Sequence, residues 1–160
     1  MTINSSNLET LFANIHQELN NIIEANNFYV ALIDQENNKL NFPYFIDENT
    51  SIIESKFERV ITNGITEYAM NSNKPMFLYE KDILSLEHRG KISIKDRVPK
   101  IWLGVPLRVS HRVIGIIALQ CYHSKSTYSY RDLELLDFIS GQVALAIERK
   151  QKEHKIYEQT

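Results

Sequence analysis

Residues 101–122 constrain this chain more than any other stretch. Two apolar runs, Ile101 to Val109 and Val113 to Tyr122, flank the polar triplet Ser110-His111-Arg112 and read as a β-hairpin. Leu103, Val105, Leu107 and Val109 share one face, and Trp102, Gly104 and Pro106 share the other, so both faces need cover. The hairpin is expected at the centre of a sheet, with helices on one side and core or a pocket on the other. A single buried helix is disfavoured by the β-branched content and by Gly104, Pro106 and Gly115.

Upstream, Ser6 with Glu9 makes a capping-box pattern before Leu8, Leu11, Phe12, Ile15, Leu19, Ile22 and Ile23, which predicts an amphipathic helix over 6–26. Phe28 to Ile33 reads as a strand, Asp34 to Asn38 as a turn, and Leu40 to Ile46 as the antiparallel partner, with Pro43 best tolerated on an edge. Asp47 to Asn63 reads as loop with a helical turn. Gly64-Ile65-Thr66 opens a short helix that Asn71 to Pro75 stops, Met76 to Tyr79 is a brief strand, and Lys81 to His88 is a helix that Gly90 closes. The following loop carries Arg89, Lys91, Lys95, Arg97 and Lys100, and reads as solvated. Ser129 with Asp132 caps a terminal helix over 130–157, roughly 40 Å long at about 1.5 Å per residue.

The expected fold is α+β: an antiparallel sheet with the amino- and carboxy-terminal helices on one face, and short helices and loops forming a pocket on the other. One domain is expected over 1–160, with the first helix at 6–26, the sheet and pocket segment at 28–126, and the terminal helix at 130–157. In that last helix Leu133, Leu136, Ser140, Val143 and Ile147 form a three-four seam longer than one sheet needs. With Leu8, Leu11, Ile15 and Leu19 it is expected to build a homodimer bundle, Ile147 facing the partner. Glu148 with Lys152, and Arg149 with Glu153, are spaced to pair.

A net charge of −2 gives no general attraction to nucleic acid or an anionic membrane, and no apolar run approaches the ~20 residues that span a bilayer. Neither nucleic-acid binding nor membrane insertion is expected, and a cytoplasmic location is. Cys121 is the only cysteine, which excludes an internal disulfide and a multi-cysteine zinc site. His16, His88, His111 and His154 show no metal-ligand spacing and read as surface residues.

Phe28-Tyr29-Val30-Ala31-Leu32, Phe42-Pro43-Tyr44-Phe45, Gly64-Ile65-Thr66-Glu67-Tyr68, Trp102-Leu103-Gly104-Val105-Pro106-Leu107 and Tyr128-Ser129 through Leu136 resemble, in that order, the GAF sensory domains of bacterial histidine kinases and diguanylate cyclases. Gln142-Val143-Ala144 and Ala146 to Lys150 fit the same pattern. The resemblance implies a small-molecule or regulatory module of a larger signalling protein. Cyclic-nucleotide-binding members carry an Asn-Lys pair after the last strand, then Phe and Asp-Glu. Cys121-Tyr122, Tyr128 and Asp132-Leu133 stand there in this chain, and only Asp132 matches. Cys121 lacks the context of a tetrapyrrole attachment site.

Trp102 and Gly104 could floor a pocket or simply pack as core. Glu67 and Tyr68 could present a carboxylate and a hydroxyl to a ligand; Phe45, Phe77 and Gln120 complete the candidate set. Gln120 is the one polar residue in its run and needs a partner. Cys121 with His123 nearby could make a nucleophile, but a small buried hydrophobe is the simpler reading. Chemistry is not expected. The expectation is a non-catalytic sensor of an unidentified small molecule, coupled through its terminal helices to an output domain such as a histidine kinase or diguanylate cyclase. The alternatives are a ligand-free dimerisation or scaffold module and, last, a reductase resembling the GAF-type free-methionine-sulfoxide enzymes, which rely on several cysteines.

Overall fold

The structure, a computed structural model, describes residues 5–48 and 57–159. Its elements in chain order are α1 (Ser5–Asn20), β1 (Phe28–Asp34), β2 (Lys39–Ile46), β3 (Phe57–Val60), α2 (Ile65–Ser72), β4 (Met76–Tyr79), α3 (Glu80–His88), β5 (Ile101–Val109), β6 (Arg112–Cys121) and α4 (Tyr130–Gln159). The strands form one antiparallel sheet in the order β3-β2-β1-β6-β5-β4. The β5–β6 hairpin lies inside the sheet, β6 beside β1 at its centre and β5 next to the edge strand β4, so both of its apolar faces are covered. Its turn is the pair Ser110 and His111, both at positive φ (51° and 66°), which matches the right-handed twist of the strands it joins.

Strand alternation sorts the core into two layers. Ile101, Leu103, Val105 and Leu107 join Phe28, Val30, Ile117 and Leu119 on the face covered by α1 and α4. Trp102 joins Tyr29, Ala31, Ile116 and Ala118 on the face covered by α2, α3 and the segment after α3. Gly115 lies opposite Leu32, where β1 and β6 approach so closely that a Cβ would strike the Ala31 carbonyl.

Four elements differ from expectation, each because of a contact distant in sequence. The first helix ends at Asn20 rather than near 26. There the Asn20 side chain accepts from the Ala25 amide at 3.1 Å, and the His16 ring bonds both the Ala25 carbonyl and, at 2.7 Å, the Tyr44 hydroxyl. His16 is therefore buried, not at the surface; His88 and His111 are exposed, and the side chains of Ser6 and His154 lie outside the described residues. Within the stretch expected as loop, Phe57–Val60 is a strand; residues 49–56, including any helical turn there, lie outside the described residues.

Pro43 lies on β2, which is not the edge strand but runs between β1 and β3. A bulge accommodates it: the β1–β2 register jumps from Val30↔Tyr44 to Leu32↔Asn41, and the pairing with β3 ends at Phe42↔Phe57. The extra residue also reverses the alternation, bringing Phe42 and Phe45 to the same face.

The terminal helix runs to Gln159, and the Asp132 carboxylate accepts from the Ser129 amide at its start, at 2.8 Å. Its seam faces inward. Leu136, Ser140, Val143 and Ile147 are buried within the monomer, Ile147 at 1% exposure, and pack on the sheet instead of facing a partner. The outward face instead carries Phe138, 68% exposed, and Leu145, 44% exposed. Lys152 pairs with Glu148 at 3.2 Å, while Glu153 lies 4.0 Å from Lys150. No helix among the described residues is long and apolar enough to cross a membrane.

Candidate functional site

Among the described residues, the face of the sheet away from α1 and α4 is incompletely covered. A cavity of about 750 Å³ lies between it, the start of α2 and residues 92–99. That volume is in the range that holds a small organic ligand. The loop after α3, expected to be solvated, forms one wall: Ile92 is buried there, and Ile94 and Val98 pack against the same core.

One side of the cavity is aromatic. Phe42 and Phe57 stack with centroids 4.5 Å apart, and Phe45 stands edge-on to Phe57 at 5.0 Å. The bulge at Pro43 and the cross-strand pair Phe42↔Phe57 create this cluster. Tyr29 continues the wall. Its hydroxyl lies 2.6 Å from Thr66 Oγ1 and accepts from Trp102 Nε1 at 3.3 Å. Burial pushes the Tyr29 phenol up to about 12 against the lowering effect of those two hydrogen bonds, so it stays a neutral hydroxyl.

The other end is polar. Gln120 Nε2 donates to Asp47 Oδ2 at 2.8 Å, and the Tyr122 hydroxyl donates to the same oxygen at 2.7 Å. Asp47 is positioned by its neighbour: the Glu48 amide donates to the buried Asn27 side chain at 2.7 Å, and Gln120 N bonds Asn27 O at 3.1 Å. Arg97 lies over the Tyr122 ring, 5.0 Å from its centroid.

Beside the aromatic wall, Arg59 sits over the Phe42 ring and holds Glu67. Glu67 is 4% exposed and also accepts from the Thr62 amide at 2.8 Å. Burial raises its carboxyl, but the Arg59 and Thr62 hydrogen bonds more than offset that and leave it below the usual carboxylate range. This carboxylate lies in the first turn of α2, where the helix end favours negative charge.

The residues singled out from sequence divide by position. Phe45 and Gln120 line the cavity, and Gln120 has the partner it needs in Asp47. Glu67 stands behind Arg59 and Thr62, and Tyr68 packs in the core beneath. Trp102 is fully buried, with its ring lying over Gly104, so the space left by that glycine is filled from within the strand. Phe77 is on the opposite face of the sheet, stacked on Tyr130 with centroids 4.5 Å apart. Sequence reasoning missed Tyr29, Asp47, Phe57 and Arg59 as cavity residues. Only Phe57 and Arg59 carried a local signal, as alternate residues of a four-residue strand.

Cys121 is buried on the helix-bearing face, away from the cavity. Thr127 Oγ1 lies 3.1 Å from its sulfur, and the Glu24 carboxylate oxygens 3.8 and 3.9 Å. His123 is largely exposed and pairs with Glu48 at 2.9 Å.

A profile of the GAF domain family matches residues 5–148. No curated protein matches the chain. Among solved structures, the type II free methionine-R-sulfoxide reductase from Thermoplasma acidophilum aligns with a TM-score of 0.69 at 16% identity, over 91% of this chain and 95% of its own. Residues 122 to 287 of a methyl-accepting chemotaxis protein align at 0.70 and 13% identity, covering 93% and 92%. The second GAF domain of DevS from Mycobacterium smegmatis aligns at 0.67 and 15% identity, covering 96% and 99%. At such identities the likeness is one of fold.

Proposed function

This chain belongs to the GAF domain family, and from that premise we propose that it is a non-catalytic sensor module binding a small molecule in the cavity beside Phe45 and Gln120. The observation that carries this is the cavity itself, with an aromatic wall and a hydrogen-bonding end on one face of the sheet. The same strands present alternate residues to the cavity and to the layer under α1 and α4. Occupancy that shifts β6 or β1 therefore moves the seat of both terminal helices. α4 passes the change to an output domain such as a histidine kinase or diguanylate cyclase, and a homodimer forms through the outward faces of these helices, where Phe138 and Leu145 are exposed.

Mass spectrometry of small molecules released from the purified chain tests this, followed by thermal unfolding with the identified compound. A ligand at ~100 times its dissociation constant stabilises its protein by roughly 2.7 kcal/mol. Release of nothing, with no stabilising fraction in a cell extract, would favour a ligand-free dimerisation or scaffold module. A reductase reading has one observation behind it, the fold shared with the Thermoplasma enzyme. The placement of Cys121 across the sheet from the cavity argues against it.

A further inference from the structure

We infer that the cavity takes a flat aromatic molecule that presents N–H donors, neutral or cationic, and rejects the corresponding anion; this rests on the cavity being the ligand site proposed above. Its walls and its polar end carry the inference separately.

Phe42, Phe45 and Phe57 offer ring faces and edges at mutual centroid distances of 4.5 to 5.8 Å, a surface that recognises a planar ring by stacking and edge contacts. The polar end is acceptor-rich. Gln120 has one amide nitrogen and one carbonyl oxygen, and the nitrogen is turned to Asp47 Oδ2 and the Tyr122 hydroxyl, 2.8 and 3.1 Å away. The flipped amide would set its carbonyl against a carboxylate, so this orientation is enforced electrostatically. Gln120 Oε1 is left as an acceptor with no partner among the described residues, beside the Asp47 carboxylate.

Two of the three cationic side chains that line the cavity, Arg59 and Arg97, are already engaged. Arg59 holds both Glu67 oxygens, at 2.5 and 3.1 Å, and Arg97 lies on the Tyr122 ring while donating to Tyr122 O at 3.4 Å. The start of α2 is answered by the Glu67 carboxylate. Of the charged lining, Asp47 and Asp96 balance Lys95 and Arg97, and Arg59 is neutralised by Glu67 behind it, so among the described residues no net positive field offsets the desolvation of an anion. A carboxylate-bearing ring would also bring acceptor oxygens against Gln120 Oε1 and Asp47, whereas an amide or amidine head would donate to both.

Three probes of one shape separate these cases: benzamidine, benzamide and benzoate, titrated at up to millimolar concentration by ligand-observed NMR and calorimetry. Benzamidine should bind tightest, benzamide next, and benzoate at least about tenfold weaker than benzamide, the cost of roughly one unmade hydrogen bond to a polar head. Asp47→Asn, checked for folding by circular dichroism, should weaken benzamidine about tenfold and benzamide much less, since it removes charge but keeps an acceptor. Gln120→Met is the second variant, expected to weaken both donor probes. Benzoate binding as tightly as benzamide would overturn the inference while leaving the cavity a ligand site. Binding by none of the three would also overturn it; the cavity reading would fall with it only if the purified chain releases no small molecule.

Discussion

Arg59 grips the Glu67 carboxylate at both oxygens, Nη1 2.5 Å from Oε2 and Nη2 3.1 Å from Oε1, and so ties the edge strand β3 to the first turn of α2 beside the cavity. Glu67 is buried and Arg59 is about a third exposed, so the pair is worth more than a surface salt bridge and less than a fully buried one.

This pair sets a pH dependence. The folded-state pKa of Glu67 is depressed, so its contribution is present above the unfolded carboxylate value and is lost as pH falls through the folded value. Arg59→Met leaves the carboxylate buried with Thr62 and its own backbone amide to answer it but no cation, at a cost of about 2 kcal/mol at neutral pH. The difference between wild type and variant should shrink on acidification below about pH 4, because protonation relieves the variant and harms the wild type. Urea unfolding at pH 7 and pH 3.5 measures it; a difference independent of pH would remove Glu67 from the account.

Ile147→Glu should unfold the monomer. Ile147 is buried against the sheet under α4, and an unpaired charge there costs about 3–5 kcal/mol. Phe138→Glu, on the outward face, should leave monomer stability within about 0.5 kcal/mol. If α4 pairs between copies through that face, Phe138→Glu should also give a folded monomer by light scattering. A wild type already monomeric at high micromolar concentration would exclude this dimer.

Gly104→Leu would not plug the cavity. A side chain at residue 104 meets the Trp102 ring, which already fills that space, so even Gly104→Ala should cost about 1–3 kcal/mol by overpacking. Trp102 is the only tryptophan in the chain, and fluorescence therefore reports its displacement directly. An unchanged spectrum and midpoint would show that the strand accommodates the added methyl without moving the ring.

Cys121→Ser should fold, at a cost of about 1–2 kcal/mol for burying a hydroxyl where a thiol packs. Thr127 and Glu24 lie close enough to answer that hydroxyl in part. Wild type and variant alike should fail to reduce free methionine sulfoxide with a thioredoxin-type donor, because one thiol cannot form the intramolecular disulfide of such a cycle. Turnover by the wild type that the substitution abolishes would establish a reductase.

Much of this architecture was legible in the sequence because it rests on short-range periodicity. The period-2 alternation of Ile101 to Val109 determined which residues face the terminal helices and which face the cavity layer, and the three-four spacing of α4 determined its apolar stripe. Periodicity does not say what an apolar stripe covers. Only the tertiary structure assigned Ile147 to the sheet instead of a partner, filled the space over Gly104 with Trp102, and sent Phe77 to the other face from Phe45.

The cavity was the least legible part because it is assembled from residues distant along the chain. Gln120 announced that it needed a partner, but Asp47 reaches it only because Asn27 holds Glu48 where β1 meets the end of β2. The aromatic wall depends on a bulge at Pro43 and on a four-residue strand whose short alternation does not say which sheet position it takes. Local spacing determined the strands, helices and their buried faces in this protein. The partners of its buried polar groups were decided by chain closure, since each such group must find a hydrogen bond wherever the fold happens to bring one.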